Sequence, residues 1–183
     1  MRLNLSDEPL TAELLAEALQ RTGTGRLSVL GTSMHPTVQM GWRVVVRPAR
    51  GDDLRPGDIA VFRTEHHLTV HRLVWIERRQ EGTMLVFRGD YNRIRERVPP
   101  EAVVARAIAV EVPSRGRGNE QVSALGFDAL AIFYRLAWTA SRPFAPLVKP
   151  APAGSPPGPL GRAARSVFAT LERVASFFLP QHR

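Results

Sequence analysis

Between Arg26 and Val112 the chain repeats one pattern, a short β-branched run followed by glycine, proline or aspartate. The runs are Leu27–Leu30, Arg43–Val46, Asp58–Phe62, Leu68–Ile76, Met84–Phe87 and Val103–Val110. Runs of this length bounded by turn residues predict strands, and their close spacing predicts an antiparallel, partly closed β-domain over residues 26–113. The turns carry their own mechanism. Met40-Gly41, Arg55-Pro56-Gly57-Asp58 and Glu81-Gly82 supply the left-handed or proline-fixed positions that tight reversals need. A chain of 183 residues has room for one such core and some appendages, but is short for two.

The flanks read differently. Residues 1–25 predict one helix: Ser6 as cap, Asp7 and Glu8 in the first turn, Leu14, Leu15 and Leu19 on one face of Thr11–Gln20, and Gly23/Gly25 as the stop. In residues 114–142 a polar loop, Ser114–Glu120, precedes an apolar helix over Leu125–Thr139. Seven prolines then fall between Pro143 and Pro159, which predicts a semi-rigid linker over residues 143–160. In residues 161–183 Ala164, Val167, Phe168, Leu171, Val174, Ala175 and Phe178 recur at helical spacing against Arg162, Arg165, Glu172 and Arg173. This amphipathic helix has two readings: docking on the β-domain or a partner helix, or lying in a membrane interface through Phe168, Phe177 and Phe178.

Composition narrows the chemistry. The absence of cysteine excludes thiolate metal sites, iron–sulfur clusters and a cysteine nucleophile. The net charge of +8 suggests a polyanion or an anionic surface, but the strands lack the interleaved aromatics on which single-strand binders stack bases, so nucleic acid is not the expected partner. Residues 1–10 hold no apolar stretch of the signal-peptide kind, and Asp128 and Arg135 interrupt the most apolar later stretch. The expectation is a cytoplasmic protein, with peripheral membrane contact only through the last helix.

The densest cluster of unusual residues is Gly31-Thr32-Ser33-Met34-His35-Pro36-Thr37. A serine held between Gly and Pro after an apolar strand can expose its hydroxyl and leave its own N–H free as an oxyanion donor. It needs a base. Of the 25 basic residues all but Lys149 are arginine, and Lys149 sits in the proline-rich linker. His71 is better placed, in a predicted strand whose alternation sets it beside Thr69 and Leu73; the plain alternative is a half-exposed strand histidine bonded to a backbone carbonyl. A carboxylate near it would fix its tautomer. Asp90, in Arg88-Gly89-Asp90-Tyr91-Asn92, and Glu96 are the two candidates. A metal site built from His66, His67, His71 and Asp58 is disfavoured, because only His67 and His71 share a strand face. No metal or cofactor is expected.

These stretches occur in an order that resembles the signal peptidase I superfamily, the S24/S26-type serine peptidases. The resemblance rests on Gly31–Thr37, on Gly41–Val46, on Arg55-Pro56-Gly57-Asp58-Ile59-Ala60-Val61-Phe62, on Val70-His71-Arg72 and on Arg88–Asn92. It implies a coiled antiparallel sheet or partly closed barrel with one N-terminal and two C-terminal helices. It also implies Ser33 as nucleophile and His71 as base, in the Ser–His manner of archaeal and endoplasmic-reticulum signal peptidases. Asp90 or Glu96 would orient His71, and Thr32, Met34 and Pro36 would form the oxyanion and substrate-binding rim. The implied activity is cleavage of a leader or precursor peptide; the rival is an inactive peptide- or nucleic-acid-binding β-module with a basic surface. Three departures stand out: Trp42 replaces the usual aspartate after Gly41, Gly31 removes a hydroxyl that some relatives lend to the oxyanion hole, and the family's N-terminal anchor is not seen.

Overall fold

The computed structural model describes residues 10–64, 67–79, 81–91, 94–113, 121–124 and 129–141. The proline-rich linker, the last amphipathic helix, the Ser6 cap and Lys149 lie outside them. The described chain is mainly β. Helix α1 (Leu10–Thr22) leads into strands β1 (Gly25–Ser28), β2 (Arg43–Pro48), β3 (Ile59–Arg63), β4 (Leu68–Arg79), β5 (Gly82–Arg88), β6 (Arg95–Val98), β7 (Val103–Val112) and β8 (Gln121–Ala124), and then into helix α2 (Ala129–Ser141).

All the strands join one antiparallel sheet in the order β1-β2-β7-β3-β4-β5-β6, with β8 added to the far end of β7. The hydrogen-bonded path ends at β1 and β6, so the sheet is open where the resemblance implied a partly closed barrel. Bulges after Val45, Val61 and Leu73 bend it without joining its ends. Six strands fall where the β-branched runs lie. β6 and β8 do not follow from the sequence, because Arg95-Glu96-Arg97-Val98 offers a single apolar residue to bury and Gln121–Ala124 is too short and mixed to alternate clearly.

The two faces bury different clusters. On one, Leu15 and Leu19 of α1 pack on Leu27, Val44, Val46 and Val61. On the other, Phe62 and Phe87 stack with centroids 4.4 Å apart among Leu54, Leu73, Leu85 and Val98. Trp42 packs against the α1 cluster, so the residue that departs from the family pattern covers core. Helix α2 buries Leu130 and Tyr134 on Val74 and Val86, and Trp138 meets Trp75 edge to face at 4.9 Å.

Phe62→Ala removes a fully buried ring and leaves Phe87 facing a cavity. The expected loss is about 3–5 kcal/mol of unfolding free energy, measured by denaturant titration; a loss under about 1 kcal/mol would mean that the two rings do not form the centre of this cluster.

Candidate active site

Ser33 stands in the connection between β1 and β2. Bonds from Val29 N–H to Trp42 O and from Gly41 N–H to Val29 O, both 2.9 Å, draw the ends of this connection together. Between them the chain turns tightly, with His35 N–H on Thr32 O and Val38 N–H on Met34 O. Met34 and Val38, one helical turn apart, are sunk in the α1 cluster at 2% and 0% exposure. They anchor the turn and leave Ser33 half-buried above them. Met34 therefore belongs to the core and not to the substrate rim expected of it. Thr32 is exposed and Pro36 half-buried, both on the surface of the same turn.

His71 comes from β4, paired with Ala60 of β3. It is 5% exposed, and its ring tilts against Phe62 at 6.2 Å. Its partners are side chains, not the backbone carbonyl of the plain alternative: Nε2 lies 2.9 Å from Ser33 Oγ and Nδ1 lies 2.8 Å from Glu96 Oε2. A carboxylate only accepts hydrogen bonds, so Nδ1 carries a proton, and in the neutral imidazole with that tautomer the Nε2 lone pair faces the serine hydroxyl. Glu96 projects from the edge strand β6, opposite Phe87 of β5.

Asp90, the other carboxylate candidate, is occupied elsewhere. Its oxygens accept from Arg72 Nε and Nη2, both at 2.8 Å, and from the Thr37 hydroxyl. Arg72 is fully buried, and its Nη1 donates to Gly57 O at 3.0 Å. Asp90 is thus the counter-ion of a buried guanidinium, and the residues beside it hold the nucleophile. Tyr91 N–H donates to Ser33 O at 2.9 Å. A Cβ on Gly89 would come within 2.5 Å of Ser33 O and 3.1 Å of His71 Nε2, so only glycine lets this turn approach both residues.

Residues 6–86 match the family model described as Peptidase S24-like. The match supports the S24/S26-type peptidase superfamily and, with it, serine peptidase-type hydrolase chemistry. It contains Ser33 and His71 and stops short of Gly89, Asp90 and Glu96. No curated protein matches the sequence.

Among the described residues no group of three or more His, Cys, Asp or Glu is arranged to hold a metal, and no helix is long and apolar enough to cross a membrane. His67 precedes β4 and is exposed, while Asp58 is bound to arginines. A cavity of about 350 Å³ lined by Gly23, Arg47, Pro48, Ala49, Asp53 and Arg106 shares no residue with the serine–histidine–glutamate group. The site is instead a half-buried surface constellation, with Glu96 still 33% exposed.

Asp90→Ala strands the Arg72 charge in the interior. The expected cost is about 3–5 kcal/mol in chemical unfolding, whereas Glu96→Ala, at a partly exposed position, should cost well under half of that. Equal losses for the two variants would contradict this division of labour between the carboxylates.

Proposed function

We propose that the chain is a serine endopeptidase of the signal peptidase I type that cleaves a leader or precursor peptide through Ser33, His71 and Glu96. The observation that carries the reading is the two-sided engagement of His71, with a hydroxyl at Nε2 and a carboxylate at Nδ1. Each nitrogen thus has the partner that a serine–histidine–acid relay needs, a hydroxyl on the base side and an acceptor on the other.

The chemistry runs as follows from these positions. Neutral His71 Nε2 takes the Ser33 proton as Oγ attacks the scissile carbonyl carbon, and Glu96 stabilises the imidazolium that forms. The carbonyl π-electrons move to oxygen. The resulting oxyanion is met by the Ser33 N–H, which among the described residues donates to no backbone carbonyl. His71 then passes its proton to the leaving amine as the C–N bond breaks. Water, deprotonated by the same nitrogen, attacks the acyl ester; the acyl C–Oγ bond breaks, the new carboxyl terminus leaves, and His71 returns the proton to Ser33 Oγ. Glu96 here takes the orienting role that sequence alone left open between two acids, and Asp90 acts through Arg72.

The test is labelling with a fluorophosphonate probe, followed by peptide mass mapping, together with cleavage of leader-bearing peptides. Wild type should be acylated at Ser33, and Ser33→Ala and His71→Ala should not be. Glu96→Gln should retain its fold and lose about 10²–10⁴-fold in acylation rate. Wild-type protein that resists the probe yet is retained on heparin would favour the binding-module reading instead.

A further inference from the structure

Helix α2 lies beyond the matched residues 6–86, yet it touches two segments linked to the Arg72–Asp90 pair, one at a turn and one at the strand end that leads into a turn. The first is Arg55–Asp58. There Asp58, 5% exposed, accepts Arg135 Nη2 at 2.8 Å and the Arg55 N–H at 2.9 Å. Gly57 has φ +98°, and a Cβ there would meet the Ala131 carbonyl oxygen at 2.5 Å, so the helix backbone sits directly on this turn. The Gly57 carbonyl in turn accepts Arg72 Nη1.

The second is the end of β5. Arg88 Nη2 donates to the Tyr134 hydroxyl at 2.9 Å, and Tyr134 is 1% exposed. Arg88 is bonded directly to Gly89, whose Cα packs on Ser33 and His71. Consecutive residues of one helix thus bond to Asp58, beside the Gly57 carbonyl that receives Arg72, and to Arg88, two residues before Asp90. Packing alone would not need this polar pairing, since Leu130 and the Tyr134 ring already bury an apolar face.

We propose that Tyr134 and Arg135 are positioning residues of the active site. Tyr134 holds Arg88 and so the Gly89 approach to Ser33 and His71; Arg135 holds Asp58 and so the Gly57 carbonyl that receives Arg72. The inference rests on the peptidase reading for its catalytic consequence, but the positioning itself has a readout of its own. The opposite face of α2 supplies the control, because Leu136 is 65% exposed and touches neither turn.

The experiment uses the full chain and four variants: Tyr134→Phe, Arg135→Gln, Arg135→Lys and Leu136→Ser. Two quantities are read on folded protein, namely the rate of Ser33 acylation by a fluorophosphonate and the NMR resonances of the His71 imidazole. Tyr134→Phe keeps the ring and loses one hydroxyl; it and Arg135→Gln should each slow acylation about 3- to 30-fold and shift the His71 resonances. Arg135→Lys should recover the rate to within about twofold, since an ammonium also pairs with Asp58. Leu136→Ser should leave both quantities at wild-type values. Unchanged acylation and unchanged His71 resonances in Tyr134→Phe and Arg135→Gln would overturn the proposal, as would an equal loss in Leu136→Ser. If wild-type Ser33 does not react at all, the peptidase reading fails, and the His71 resonances alone decide whether α2 positions the imidazole.

Discussion

A guanidinium with no access to water organises the site. Arg72 is fully buried and has Asp90, Thr37 and Gly57 as partners. Taking a guanidinium and a carboxylate out of water costs several kcal/mol per ion, which good geometry offsets but seldom exceeds. The pair therefore contributes position more than stability. It joins β4, the turn before β3, the turn after β5 and the serine connection, and only the last of these is outside the β3-β4-β5 pairing at this point. Because Arg72 follows His71 directly, fixing one side chain on each face of β4 fixes the strand's rotation, and so the direction in which the imidazole points.

Much of the fold was legible because its signals are local. Six strands, the first helix and the tight turns are written in β-branched runs and in glycine and proline, and the structure has them within a few residues. β6 was not legible, since an edge strand with one buried face in four residues has no alternation to read. That blindness propagated to the site. Glu96 lies on β6, so sequence alone left open whether it or Asp90 reaches His71. Met34 misled for a related reason. Its place beside Ser33 suggests the substrate rim, whereas a residue one position on in a tight turn points the other way, here into the core. For the two acids the structure supplies what was missing: the buried Arg72 claims Asp90, leaving Glu96 for the histidine.

The arginine excess also reads differently against the structure. Arg26 and Arg43 both reach the buried Glu111, tying β1 and β2 to β7. Arg135 and Arg106 flank Asp58. Arginine suits these places, because its planar fork satisfies several acceptors at once and it stays charged when buried. Part of what suggested a polyanion surface is thus committed to carboxylates that are themselves buried, while pairs such as Arg97 with Glu77, where neither partner is buried, add little to stability.

The three chemical groups differ in how the chain brings them together. His71 and Glu96 are 25 residues apart within the β4-β5-β6 meander, where each strand pairs with its successor; that half of the site needs only local hairpins. Ser33 is 38 residues from His71 and belongs to the β1-β2 end of the sheet, which reaches β4 only through β7 and β3. No strand ladder joins the nucleophile to its base. The Tyr91 N–H on Ser33 O and the close approach of Gly89 span that gap. The seam between the serine connection and the turn after β5 is therefore where small displacements change the chemistry without unfolding the sheet. The Arg72–Asp90 pair bears on that same turn, and helix α2 bonds to Arg88 immediately before it, at a junction that pairing of strands does not secure.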